Sequence, residues 1–284
     1  MTETLTTANG RRGVALAVAP NGGRHMKVDH AALPITPMEL ADCAQACLLA
    51  GASMIHLHVR NEAGRHCLDV QRYRAALDAV RTRVGDRLIT QITTESLGLY
   101  QPVDQIDLIR TLRPEACSIA LREIAPDAAH EIGFASLLEW MRRERVFPQI
   151  ILYDATDVVR LQGMRQRGLI PASDIPVLFV LGRYTAGQQS APGDLRQFMA
   201  VARQSPFAHW TVCAFGRDEA ACAVAAALLG GHVRVGFENN FHLPDGTVAA
   251  ENADLLRPVA GALQHLGRTL ETAESQRAAL EAIW

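Results

Sequence analysis

The sequence predicts a single-domain α/β protein with the fold of a (β/α)8 TIM barrel. Short β-rich runs alternate strictly with segments of helical apolar spacing, the pattern of a parallel sheet with crossover helices. The chain has 284 residues, a length typical of a closed eight-stranded barrel. A doubly wound open sheet is the alternative. It is disfavoured because NGGRH follows the first predicted strand, without the G-x-G-x-x-G spacing of a dinucleotide-binding loop.

The predicted elements follow from apolar periodicity and from residues that begin or end helices. The strands are predicted at 14–19, 53–59, 87–93, 117–121, 148–153, 176–181, 209–215 and 232–237. The helices are predicted at 37–50, 70–83, 103–112, 136–145, 157–167, 194–203, 218–229 and 252–267. Thr36, Pro37 and Glu39 form a typical helix start, and Gly51 and Gly230 stand where helices should end.

The barrel is predicted over residues 13–284, after a flexible tail at 1–12. Its C-terminal helical extension, ESQRAALEAIW at 274–284, ends in apolar residues. We expect this extension to dock either on a neighbouring subunit or on its own barrel.

Net charge, apolar stretches and cysteine content argue against several kinds of partner and location. The net charge is −2 with acidic and basic residues mixed, which argues against nucleic acid or an anionic membrane as the main partner. No apolar stretch reaches the roughly 18 residues of a membrane span. The 6 cysteines include no CxxC pair, and no signal peptide is recognisable. Reduced thiols and a cytoplasmic location are therefore expected.

Two histidines in the second predicted strand suggest a metal site. His56 and His58, in MIHLHVR, are two residues apart and so point to the same side of a strand. They lie near its carboxyl end, where barrel active sites are built. A single histidine there would usually be a satisfied core residue. Two in phase favour zinc, which accepts neutral imidazole nitrogens and needs a third protein ligand in a catalytic site.

The last predicted strand, in GGHVRVGFENN, supplies the best third ligand. His232, Arg234, Gly236 and Glu238 share one phase, and Glu238 comes last, at the barrel rim. In a closed barrel the eighth strand returns beside the first, close to the histidine pair. Arg234 is expected one layer deeper, where a structural ion pair is the alternative to a catalytic role.

These segments resemble the beta-keto acid cleavage enzyme family. The resemblance rests on NGGRHMKVDHAALPITPMEL, AGASMIHLHVRNEAGRHCLD, QITTE, the pair Gly216-Arg217 and GGHVRVGFENN, and it covers nearly the whole chain. It implies a zinc-dependent barrel enzyme, with one zinc ion per chain and acetyl-CoA as co-substrate. The expected reaction converts a beta-keto acid and acetyl-CoA into acetoacetate and a new acyl-CoA. Family members form homo-oligomers, often tetramers.

The resemblance also implies roles for individual residues. His56, His58 and Glu238 match the zinc ligands, and Arg234 matches a catalytic arginine. Thr93 matches a hydroxyl residue that contacts substrate.

The turn Asn21-Gly22-Gly23 matches the substrate-binding turn of the family, whose backbone N–H groups can hold a carboxylate. Lys27 and His30 follow in the same segment. They would add charge near the substrate unless they are ordinary exposed loop residues.

This chain departs from the family at the catalytic base. Asn239 stands where the family usually has an aspartate, and a carboxamide is not a base, so Asn239 is expected only to bind substrate. Arg122 and Glu123 follow the fourth predicted strand, and Glu95 stands where glycine is common. We hypothesise that Glu123 replaces the aspartate, as base or as partner of Arg234. Solvated loop charges, or contacts to a substrate side group, are the alternatives.

Two other functional classes remain open at this point. A zinc hydrolase would use metal-bound water without a thioester, so dependence on acetyl-CoA separates it from the main reading. Asn239 suggests the second alternative, a non-catalytic binding protein whose barrel has lost its active site. The shared phase of both histidines, Arg234 and Glu238 argues against decay.

Overall fold

Eight parallel strands close into a barrel in the computed structural model, which describes residues 13–172, 174–203 and 206–284. The strands of the described chain are β1 (Leu16–Val18), β2 (Met54–Leu57), β3 (Val59–Arg60), β4 (His66–Cys67), β5 (Ile89–Thr93), β6 (Ala116–Ala120), β7 (Phe147–Leu152), β8 (Val177–Leu181), β9 (Trp210–Ala214) and β10 (His232–Val235). The closed ring runs β1-β10-β9-β8-β7-β6-β5-β2 and returns to β1. The predicted closed barrel is therefore confirmed, and the open sheet is excluded.

Helices follow the barrel strands, and the last two of them come after the final strand. They are α1 (Pro37–Leu49), α2 (Val70–Val84), α3 (Pro102–Leu112), α4 (Leu121–Ile124), α5 (Glu131–Arg143), α6 (Ala155–Gln166), α7 (Leu195–Ala202), α8 (Glu219–Leu228), α9 (Asn252–His265) and α10 (Ala273–Glu281). The α1 start was predicted correctly: Thr36 and Glu39 form a reciprocal capping box, and Pro37 occupies the first helical position. The structure does not describe the predicted tail at 1–12. No helix in the described ranges is long and apolar enough to cross a membrane.

Strand alternation separates the core from the site. Ile55 and Leu57 of β2 are fully buried and join helix residues such as Leu40 and Ala76 in the main apolar cluster. The intervening His56 therefore points to the barrel interior. One element that periodicity did not predict is the β3–β4 hairpin, which follows the second barrel strand at its carboxyl end.

The C-terminal extension packs on its own barrel. Ala273 and Leu280 of α10 form an apolar cluster with inward-facing residues from four strands, namely Ala17, Met54, Ile89 and Ala116. Arg277 of the same helix pairs with Glu115 at 2.6 Å. These contacts cover the end of the barrel opposite the histidine pair. The catalytic end is left open, and the extension is not free to dock mainly on a neighbour.

Candidate metal centre and active-site cleft

Two imidazoles and one carboxylate converge at the carboxyl end of the barrel. His56 lies in β2 and His58 just after it, and both are 1% exposed. Their Nε2 atoms are 3.2 Å apart. The carboxylate Oε2 of Glu238 lies 3.6 Å from Nε2 of His56 and 3.4 Å from Nε2 of His58.

Glu238 reaches the histidines because the chain bends sharply after β10. Gly236 has φ +146°, and a Cβ there would overlap the carbonyl oxygen of Ala19. Only glycine allows this approach of the β10 turn to the end of β1. The bend is closed by a hydrogen bond from the Glu238 N–H to the Ala19 carbonyl at 3.1 Å.

The three ligand atoms fit a zinc ion. In tetrahedral coordination with bonds of about 2.0–2.1 Å, neighbouring ligand atoms are about 3.3 Å apart. The distances of 3.2, 3.4 and 3.6 Å bracket that value. Oε2 of Glu238 is buried and has no hydrogen-bond partner among the described residues, so it is available as a ligand. Burial, together with the Arg234 charge, lowers the pKa of His56 and keeps its nitrogen lone pair free.

A chain of amides orients His56. Its Nδ1 lies 2.8 Å from Oε1 of Gln91. The amide of Gln91 donates to Gln149 at 3.2 Å, and that of Gln149 donates to Thr211 at 3.2 Å. Since Gln91 presents its oxygen, Nδ1 carries the proton and Nε2 faces the carboxylate. Sequence reasoning missed Gln91 and Gln149, although both are polar residues in otherwise apolar strands.

Arg234 is the buried cation of the site. It is 4% exposed, and its Nη2 lies 3.1 Å from Oε1 of Glu238. Burial alone would raise the pKa of Glu238, but the charge of Arg234 and then His58 more than offset this and hold it well below its usual value. Nε and Nη1 of Arg234 are buried without partners in the described chain. These two donors remain for a substrate oxygen.

The turn after β1 supports the metal centre. The Asn21 side chain is fully buried; it donates to the His58 carbonyl and accepts from the His58 N–H. The side-chain amide of Asn21 therefore positions His58, while the substrate contact expected of the backbone N–H groups of this turn stays a prediction. The Arg60 guanidinium donates to the Gly22 carbonyl and fixes the turn. Gly23 lies against His58 and Glu95.

Glu123 is not where the sequence hypothesis placed it. Its carboxylate accepts hydrogen bonds from the Ser96 N–H at 2.9 Å and from the Gln105 amide at 3.2 Å. Arg234 pairs with Glu238 instead, so the expected pairing of Glu123 with Arg234 is wrong. β6 leads directly into the short helix α4, where Glu123 contacts Ser96 and Gln105 instead.

Other rim residues also have partners outside the site. Arg122 pairs with Asp154 and Asp157. Lys27 pairs with Glu39, and His30 bonds the Ala249 carbonyl, so neither Lys27 nor His30 adds charge to the metal centre. The amide atoms of Asn239 are buried next to the site without partners in the described chain, which leaves its predicted role in substrate binding untested.

His56, His58 and Glu238 line a small cleft at the carboxyl end of the barrel. The other lining residues are Thr93, Glu95, Ala120, Ile151, Tyr153, Val180, Arg183, Phe215 and Arg234. Thr93 is therefore placed where its predicted substrate contact is possible. Arg183 was missed, although it is a charged residue shortly after a predicted strand, the same signal that identified Glu95 and Glu123.

Replacing Gly22 by alanine tests how closely the turn supports the metal centre. Gly22 has φ +56°, and a Cβ would lie 2.7 Å from Cγ of Glu238. We expect Gly22→Ala to weaken zinc binding at least about tenfold, because it displaces a ligand. Zinc affinity is measured by competition with a chelator.

Gly168→Ala is the matched control. Gly168 has φ +74° with open space around its Cα. This variant should lose about 1 kcal/mol of stability in thermal unfolding and keep its zinc affinity. Equal zinc affinity in both variants would contradict the described packing of Gly22 on Glu238.

Comparison with known proteins agrees with this geometry. The family model described as beta-keto acid cleavage enzyme matches residues 13–281. The chain is 30% identical over 274 residues to the 3-oxoadipate:acetyl-CoA acetyltransferase of Cupriavidus necator, covering 93% of each protein. It is 30% identical over 263 residues to the 3-keto-5-aminohexanoate cleavage enzyme of Fusobacterium nucleatum, covering 90% of this chain and 93% of that protein.

Among solved structures, apo ObcA has a TM-score of 0.70 at 18% identity, covering 88% of this chain and 65% of that one. At that identity the likeness supports the barrel fold alone. Together, the match of the family model over most of the chain and the two relatives show that this protein belongs to the beta-keto acid cleavage enzyme family.

Proposed function

We propose that this chain is a zinc-dependent enzyme that exchanges acyl groups between a beta-keto acid and acetyl-CoA. The reaction is R–CO–CH2–COO⁻ plus acetyl-CoA giving acetoacetate plus R–CO–CoA. The C–C bond between the ketone carbon and the CH2 group breaks. The C–S bond of acetyl-CoA also breaks, and the acetyl group forms a new C–C bond to that CH2 group. The R–CO group forms the new thioester with the released CoA thiol. The convergence of His56, His58 and Glu238 on one point carries the proposal.

The metal ligands and Arg234 suit this chemistry. Bound zinc would act as a Lewis acid on the ketone of the substrate. Arg234, with two donors unpaired in the described chain, would stabilise the negative charge that develops when the C–C bond breaks. Thr93 lines the same cleft and would orient the substrate through its hydroxyl. Because the metal ligands, Thr93 and Arg234 line the same cleft, a substrate bound there would lie close to both the metal and the guanidinium.

Asn239 cannot act as a base, because a carboxamide does not accept a proton near neutral pH. Glu123 would instead position the loop after β5. The Glu123 carboxylate holds the Ser96 N–H, directly after Glu95 in the cleft, and the residues lining the cleft do not include Glu123. Glu123 thereby fixes the loop that carries Glu95.

Assembly into homo-oligomers, with tetramers favoured, remains a prediction from the family resemblance. The same holds for the cytoplasmic location.

Dependence on both zinc and acetyl-CoA tests the proposed reaction. We expect metal-loaded protein to form acetoacetate and a new acyl-CoA from a beta-keto acid. Formation of both should stop when zinc is removed and return when it is added back. Products are followed by mass spectrometry, with the CH2 carbon of the keto acid labelled, and the label should appear in acetoacetate. Consumption of the keto acid without acetyl-CoA would favour a zinc hydrolase or lyase instead.

Substitution of Glu123 by glutamine separates its two roles. If Glu123 only positions the loop, Glu123→Gln should keep turnover within about tenfold of wild type, because an amide oxygen can still accept from the Ser96 N–H. The Ser96 N–H and the Gln105 amide both donate to the same oxygen, Oε2 of Glu123, so a glutamine oxygen in that place can accept both hydrogen bonds. Turnover is measured together with zinc content. A complete loss of turnover with zinc retained would restore Glu123 as the base.

A further inference from the structure

The cleft has a metal-binding side and an apolar side. His56, His58 and Glu238, from the β2 and β10 ends, form the first. Across the barrel, the ends of β6 to β9 contribute the apolar wall, formed by Ala120, Ile151, Val180 and Phe215. Leu178 and Cys213 pack with Val180 and Phe215 in an apolar cluster inside the barrel, separate from the main core. A substrate held by its keto acid end at the metal would place its side group against this wall.

The charges beside the apolar wall are paired with each other. Oε1 of Glu95 lies 3.8 Å from Nη2 of Arg183, and the two side chains are 19% and 13% exposed. The Arg183 guanidinium lies 5.5 Å from the ring centroids of both Tyr184 and Phe215. Of the other lining charges, Glu238 pairs with Arg234 on the metal side. Among the described lining residues, the charges at the apolar wall are therefore Glu95 and Arg183, and each has the other as a charged partner.

The Glu95–Arg183 pair is held by its surroundings. His66 donates from Nε2 to the Glu95 carbonyl at 2.8 Å, and the Glu95 N–H donates to the Thr93 hydroxyl at 3.0 Å. The backbone of Glu95 is thus fixed on both sides, at its carbonyl and at its N–H.

We propose that the side group of the substrate is small, apolar and uncharged, so that the preferred substrate is a short-chain alkyl beta-keto acid. This inference rests on the proposed function. A side group ending in a carboxylate or an ammonium would lose its hydration without gaining an unpaired partner, and would also disrupt the Glu95–Arg183 pair. The new thioester would then be a short-chain acyl-CoA.

Three six-carbon acids test the inference. The first is 3-oxohexanoate. In 3-oxoadipate a carboxylate replaces its terminal methyl group, and 5-amino-3-oxohexanoate carries an additional ammonium group. With zinc-loaded enzyme and acetyl-CoA, we expect kcat/KM for 3-oxohexanoate to exceed the other two at least about 100-fold. A preference of the wild type for either charged acid, or similar values for all three, would overturn the inference.

Two single substitutions unpair the charges in opposite senses. Glu95→Gln leaves Arg183 without its partner and should raise kcat/KM for 3-oxoadipate relative to 3-oxohexanoate at least about tenfold. Arg183→Gln should do the same for 5-amino-3-oxohexanoate. Each variant is the matched control for the other, since both lose one charge of the same pair. The same change of preference in both variants would contradict the pairing.

Calorimetric binding of the three acids to zinc-loaded protein without acetyl-CoA separates this inference from the proposed function. If none is turned over but 3-oxohexanoate binds the tightest, the proposed reaction fails and the assignment of the cleft stands. If the charged acids bind as tightly, the assignment fails whatever the reaction is.

Discussion

The site depends on one buried carboxylate shared between a cation and two imidazoles. One oxygen of Glu238 faces Arg234 at 3.1 Å, and the other faces both Nε2 atoms. A carboxylate at this depth is stable only with its charge compensated. Arg234 compensates one oxygen, and a divalent cation between Glu238, His56 and His58 would compensate the other. The same residue thus couples the guanidinium that would stabilise a substrate anion to the metal that would activate its ketone.

Barrel closure makes this sharing possible. Because β1 pairs with both β2 and β10, the first and last strands of the barrel are neighbours. The turn at Gly236 packs against the Ala19 carbonyl. Asn21, in the next turn, binds the backbone of His58 on both sides. The turn after β1 therefore fixes the strand ends that carry His58 and Glu238 relative to one another.

The sequence was sufficient for features that depend on periodicity. Strict alternation of elements predicted the closed barrel, and the two-residue spacing predicted that His56 and His58 share a side. The phase of the last strand predicted Glu238 as their neighbour. Features set by rim geometry were not accessible. Because α4 starts directly after β6, Glu123 contacts Ser96 instead of Arg234. The β3–β4 hairpin places the Arg60 guanidinium in contact with the Gly22 carbonyl. Strand period does not determine either contact.

Pairing across the barrel was also beyond the sequence. Gln91 and Gln149 are far apart in the sequence. Only the closed barrel brings them together, in a series of hydrogen bonds that orients His56. In the same way, Glu95 and Arg183 each appeared as a charge after a strand, while their contact shows that they balance one another. Residues of one strand can be placed by phase, but contacts between strands need the register.

The most direct test of the shared-carboxylate account is the metal content of the purified protein, wild type beside His58→Ala, after chelation and reloading with zinc. The account predicts about one zinc ion per chain in the wild type, as expected for a site with three protein ligands, and a loss of that ion in the variant. Absence of bound metal from the reloaded wild type would contradict it, because Glu238 and the two histidines would then be a structural ion-pair cluster in the barrel core.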